Sequence, residues 1–243
     1  MSAEGPRDEH GLDYCQALPH LRRAPVIDGR RERGLVLRPL DPVGWISFEA
    51  APPADQRAAY AAAWREDGLY VFVHVVDPDR VIAGESEMCW CGDSVEVFVD
   101  ADGRYDRAPF FDEPGAGQLV AIAPADDDTP SHRGQAWCYG CSGDWPIDLD
   151  ATEFVTVPTD DGYSLEMFVR AADLGLDDWR PLPGQTLGFD LAVNVSTATP
   201  TGLSCGSLSE GSRRGQYFLH VSDDEPREPW NRADAFCTAA LLE

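Results

Sequence analysis

Cys89-Trp90-Cys91-Gly92-Asp93-Ser94-Val95-Glu96-Val97-Phe98-Val99-Asp100 is the stretch from which the fold is read. Val95, Val97 and Val99 alternate with Ser94, Glu96, Phe98 and Asp100. That is the two-residue period of a strand with one aliphatic face, and the aliphatic face belongs on a core. The other face carries a carboxylate, Glu96, beside an aromatic ring, Phe98. Trp90 stands just before the strand, between two cysteines. An indole near an outward carboxylate suits a sugar: the ring covers the apolar C–H face of a pyranose, and the carboxylate accepts hydrogen bonds from its hydroxyls. The same residues also fit a structural role, with Trp90 plugging the end of a sandwich and Glu96 pairing with an arginine of a neighbouring strand.

Working outward, the same alternation recurs. Leu69, Val71, Val73 and Val75 share one face of a strand, with Tyr70, Phe72 and His74 on the other. The preceding Ala-rich run Arg57–Arg65 has good helix propensity. Tyr60, Ala62 and Trp64 nevertheless alternate, and Glu66-Asp67-Gly68 supplies a turn, so a hairpin with 69–76 accounts for both. Phe154–Val157 pairs with Tyr163–Val169 across Thr159-Asp160-Asp161-Gly162. Leu187, Phe189, Leu191, Val193 and Val195 point inward from a later strand. About ten short strands, turn signals between them and almost no helix predict an all-β antiparallel sandwich. Residues 1–23 read as a loose leader and 24–243 as one domain.

The composition narrows the function. Forty-three acids against nineteen arginines give a net charge of -24, and the chain has no lysine. Such a charge disfavours nucleic acid and anionic membrane surfaces as partners. The missing lysine excludes a lysine nucleophile or Schiff base. GC-rich coding and adaptation to high salt both yield this pattern. No 18-residue apolar run marks a membrane helix, and the polar N-terminus is not a signal peptide, so the expectation is a cytoplasmic protein unless a secretion signal has been removed.

With these segments in order, the chain resembles the family 9 carbohydrate-binding modules and their relatives in the DOMON-like sandwich group. The resemblance runs through Leu69-Tyr70-Val71-Phe72-Val73 with Asp77, then Trp90-x-x-Asp93-Ser94-Val95-Glu96-Val97-Phe98-Val99-Asp100, Tyr163-Ser164-Leu165-Glu166-Met167 and Leu187-Gly188-Phe189-Asp190-x-x-Val193-Asn194, and closes on Trp230. It covers residues 24–242. It implies a non-catalytic module whose two tryptophans, here Trp90 and Trp230, sandwich a sugar at a glycan end. Glu96, with Asn194 and Arg227, would bind hydroxyls. Three family positions depart: the sugar-binding arginine falls near Leu119-Val120-Ala121, a strand glutamine matches Ala192, and an asparagine before the second tryptophan matches Arg227. A sandwich that kept the fold and lost the sugar site is the alternative.

The resemblance also implies structural calcium, for which Asp77, Asp79, Asp100 and Asp102 are candidates, as is the run Asp126–Asp128; solvated acidic loops explain the same residues. Cys89-x-Cys91 and Cys138-x-x-Cys141 suit a four-thiolate zinc site, disulfides or free thiols. Some sandwiches of the group that the chain resembles bind haem through a methionine and a lysine; haem is not expected here, because the chain lacks lysine and only Met88, beside the central strand, and His74 are suggestive. No nucleophile elbow, P-loop, dinucleotide fingerprint or histidine metal motif is present, which favours binding over catalysis.

Overall fold

The computed structural model of the chain describes residues 16–40, 45–47, 56–83, 89–101, 114–138, 153–174, 176, 178–197, 212–219 and 237–243. These residues form thirteen strands in two facing sheets, with two short 3-10 turns at Cys89–Cys91 and Ala171–Leu174. The strands are β1 (Gln16–Leu18), β2 (Arg38–Pro39), β3 (Trp45–Ser47), β4 (Arg57–Arg65), β5 (Gly68–Val76), β6 (Ser94–Asp100) and β7 (Ala116–Ile122), then β8 (Gly134–Cys138), β9 (Glu153–Thr159), β10 (Gly162–Arg170), β11 (Thr186–Thr197), β12 (Ser212–Phe218) and β13 (Cys237–Leu241). The larger sheet runs β1-β13-β11-β6-β7-β8, with β12 also on β11 and β3 on β12; the smaller runs β2-β4-β5-β10-β9.

Arg57–Arg65 is a strand, paired residue for residue with β5 from Arg65↔Gly68 to Arg57↔Val76. Its alanines prefer helix, but alternation puts Tyr60, Ala62 and Trp64 into the core, and tertiary burial overrides propensity. The expected hairpin of β9 and β10 forms, and a short 3-10 turn, Ala171–Leu174, follows it. The core lies where the aliphatic faces meet: Val71, Val73 and Val75 from one sheet, Val95, Val97, Leu191 and Val193 from the other.

One boundary moves. Gln16–Leu18 lies within the expected leader but pairs in parallel with β13 through Gln16↔Ala239 and Leu18↔Leu241. Leu18 is buried in the core and its carbonyl accepts from the Leu242 N–H at 2.9 Å. Three residues were too few for alternation to register in the sequence.

β11 is the longest strand, and it organises the larger sheet. Along one edge it pairs with β6 from Gly188↔Asp100 to Asn194↔Ser94. Along the other it pairs first with β13 and then with β12. The outward residues of β6, β11 and β12 therefore share one face, the face opposite the core.

Candidate functional site

Alternation puts Ser94 and Glu96 of β6, Gln118 and Val120 of β7, Asn194 of β11 and Gln216 of β12 on that outer face. Glu96 is its centre. The carboxylate is 2% exposed and accepts hydrogen bonds from Asn194 Nδ2 at 2.8 Å and Gln216 Nε2 at 3.0 Å on Oε1, and from Gln118 Nε2 on Oε2. Asn194 Nδ2 also donates to Ser94 Oγ at 2.9 Å. Three amides thus direct their N–H groups onto one charge, in place of the arginine expected by the structural reading of Glu96. Hydrogen bonds to an ionised acceptor are the stronger kind, and this set compensates the burial of the carboxylate.

The departures noted in the sequence acquire a geometry. Ala192, where the family has glutamine, lies directly opposite Glu96 on β11. A small side chain there leaves the space across which Gln216, one strand further out, reaches Glu96. Near the missing arginine, Val120 opposes Glu96 and Gln118 donates to it diagonally. Gln118 and Gln216 escaped the sequence reading because a glutamine in a strand carries no motif; their spacing relative to Glu96 exists only after the strands pair.

Trp90 sits on the 3-10 turn Cys89–Cys91 and packs with Cys89, Val120, Ile122 and Trp137 on the same outer face. Trp90 and Trp137 are both half-buried, with ring centroids 5.2 Å apart and planes at 60° in an edge-to-face pair. Trp137 was also missed. Its signal was faint: an indole on a five-residue strand, beside Gln118 in register.

Asp93 holds this turn in place. It is fully buried, and its carboxylate accepts from the Val81 N–H on Oδ2 and from the Ser196 N–H at 2.7 Å on Oδ1. Its own N–H donates to the Val81 carbonyl at 2.8 Å, and Ser196 Oγ donates to the Cys91 carbonyl at 2.8 Å. Gly92 permits the close approach: a Cβ there would stand 2.4 Å from the Ala83 nitrogen. Burial, reinforced by the charge of Asp77, pushes the Asp93 carboxyl well above its ordinary range. Burial, with the charge of Glu96, likewise raises the Cys89 thiol.

The two cysteines flanking Trp90 differ. Cys89 is a buried free thiol, whereas Cys91 is disulfide-bonded and has no thiolate to give a metal. A site built on Cys89, Cys91, Cys138 and Cys141 therefore loses one of its four ligands. Cys138 contributes to β8 through its backbone, and Cys141 lies outside the described residues.

The calcium candidates do not gather in one place. Asp77 directly follows β5, whereas Asp100 stands at the far end of β6 from Asp93, about 23 Å along the chain at ~3.3 Å per residue. Asp79 is exposed, and Asp102 lies outside the described residues. Asp126–Asp128 is exposed, with Asp127 paired to Arg80. Among the described residues no group of three or more His, Cys, Asp or Glu side chains is placed to hold a metal. Asp77 itself is informative. Its Oδ1 accepts from Gln56 Nε2 at 2.8 Å, while its buried Oδ2 and the buried Oε1 of Gln56 have no hydrogen-bond partner. Both are oxygens of the kind calcium takes. Trp230 and Arg227 lie outside the described residues.

The model of the family described as carbohydrate family 9 binding domain-like matches residues 45–215. Two solved structures of a family 9 carbohydrate binding module from Caldicellulosiruptor kristjanssonii share the fold. One, in complex with cellotriose, is 18% identical with a TM-score of 0.66, covering 93% of each chain. The other, in complex with glucose, is 18% identical with a TM-score of 0.65, covering 93% of this chain and 95% of that one. None of the curated proteins matches the chain at a significant level.

Proposed function

The chain belongs to the carbohydrate family 9 binding domain-like family, and on that premise we propose that it binds the end of a glycan by stacking one sugar ring on Trp90. Modules of this family are non-catalytic. The observation that carries the reading is the convergence on one sheet face of a half-buried tryptophan pair and a carboxylate clasped by three amides. Both Glu96 oxygens already accept from the protein's own amides, so Glu96 acts mainly by orienting them. Each of Gln118, Asn194 and Gln216 turns an N–H group to Glu96, which fixes the orientation of its amide. Trp230 is the proposed second ring and Arg227 a donor beside it, on the strength of the sequence resemblance alone.

The titration that tests this follows tryptophan fluorescence and heat with glucose, cellobiose and cellotriose, the first and last being the ligands in the Caldicellulosiruptor module structures. The expected dissociation constants are micromolar to millimolar, on the order of -4 to -8 kcal/mol. Borohydride-reduced cellobiose should bind more weakly than cellobiose if a reducing end is recognised. Trp90→Ala should lose binding while melting as a folded protein. A folded wild-type chain that responds to no saccharide, or a Trp90→Ala variant that binds like wild type, overturns the reading. The first of these outcomes points to a sandwich that kept the fold and lost the site.

Calcium is the second part of the reading. Asp77 and Gln56 are the proposed protein ligands, supported by their two unpartnered buried oxygens. The ion's role would be to hold the end of β5 against the loop that leads to Trp90.

A further inference from the structure

A cavity lies away from the tryptophan face, where β1, β2 and β4 meet Leu242. It encloses about 710 Å³, within the range of small-molecule sites. Its floor is apolar, from Leu18, Leu21, Leu35 and Ala61, and its rim is cationic, from Arg22, Arg23, Arg33 and Arg38. In a chain of net charge -24 this is the exception: residues 16–38 hold six of the nineteen arginines against only Asp28 and Glu32. None of the four rim guanidiniums has a carboxylate partner among the described residues.

Of the nearby acids, Glu32 also lines the cavity and accepts from the Val26 N–H at 3.0 Å, and Glu66 pairs with His20 at 2.9 Å. Arg38 is held ready: its Nη1 donates to Gln16 Oε1 at 3.1 Å, and the same oxygen accepts from the buried Tyr60 hydroxyl. The walls are fixed as well, because Trp64 Nε1 donates to the Leu242 carbonyl at 2.8 Å and the Leu242 N–H to the Leu18 carbonyl. Guanidinium forks match carboxylate and phosphate oxygens, and an apolar floor accepts a C–H face. A cationic cleft with low-dielectric walls focuses its field locally, while the acidic remainder of the surface is screened beyond about 8 Å at physiological salt.

We propose that this cavity is a second ligand site, for a small oxyanion-bearing molecule with an apolar face. Uronate saccharides and sugar phosphates share that chemistry. The site is independent of sugar stacking at Trp90.

Calorimetric titration of the full chain at fixed ionic strength with digalacturonate, glucose 6-phosphate and neutral cellobiose tests it. At least one of the two anions should bind, and the one that does identifies the source as carboxylate or phosphate. Arg33→Gln with Arg38→Gln should weaken that binding by at least about tenfold, the loss of two charge-assisted contacts, while Trp90→Ala leaves it unchanged. If that double variant fails to fold, Arg22→Gln with Arg23→Gln, both on exposed side chains, serves the same purpose. The proposal falls if neither anion binds at millimolar concentration, if a folded arginine variant binds as wild type does, or if Trp90→Ala abolishes the anion's binding.

Discussion

Replacing Glu96 by leucine measures what the polar cluster contributes. Leucine keeps much of the volume, removes the desolvation penalty of a buried carboxylate and removes its acceptors. Gln118 and Gln216 each lose the hydrogen-bond partner of their Nε2, at 6% and 4% exposure, where water replaces it poorly. Asn194 loses one acceptor and keeps Ser94 Oγ. A buried donor left without a partner costs about 1–3 kcal/mol. Two such donors total roughly 2–6 kcal/mol, and the relief of carboxylate desolvation and glutamine rotations offset part, leaving about 3 kcal/mol. For a domain of this length 1 kcal/mol corresponds to about 2–4 °C, so Tm should fall by ~6–12 °C. Glu96→Gln retains one acceptor and lets Gln118 rotate its amide to match; its cost should be about 1 kcal/mol, or ~2–4 °C. The assay is thermal and urea unfolding of the three proteins, followed by both fluorescence and circular dichroism to check a two-state transition. If Glu96→Leu melts within about 2 °C of wild type, desolvation outweighs the amide contacts, and the cluster is not what orders this face.

Three further outcomes follow from the same contacts. Gly92→Ala places a methyl against the Ala83 backbone nitrogen and should destabilise the fold by about 1–3 kcal/mol, together with a change in Trp90 fluorescence; an unperturbed variant would show that the 81–83 segment yields freely. Glu166 accepts from the Asp28 and Gly29 N–H groups at 2.7 and 2.8 Å and from the Tyr70 hydroxyl at 2.8 Å, and burial holds its pKa above the ordinary 4.5. The folded state therefore takes up a proton at higher pH than the unfolded chain, and stability from this group grows as pH falls through the raised folded value toward 4.5. Urea unfolding from pH 7 down to pH 5 should show wild type gaining on Glu166→Gln; a constant difference refutes the assignment. Added calcium should raise the Tm of the chelator-treated protein, and Asp77→Asn should remove most of that rise; equal shifts in both proteins would place the ion elsewhere.

Alternation alone was enough to specify the sandwich. The inward sets on β5, β6 and β11 are long enough that only one register buries them, since a shift by one residue turns every valine to the outside. For the same reason the sequence placed Trp90 and Glu96 next to the same strand and Asn194 on a later one. It could not place Gln118, Gln216 or Trp137, because each belongs to the cluster only through cross-strand neighbours far away along the chain. Nor could it separate Cys89 from Cys91, which are alike in spacing and differ in what the fold brings to each sulfur.

The covalent chain thus determined which faces are apolar, the acidic balance and the order of strands that family membership rests on. Tertiary structure alone decided that Glu96 is clasped by three amides rather than by an arginine, and that Ala192 makes room for one of them. It also decided that arginines with no carboxylate partner among the described residues gather round a cavity in an acidic protein. The physical reason is the same throughout: periodicity is a local property written along one strand, whereas a hydrogen-bond network or a charged cleft is a sum over strands that meet only after the core has closed.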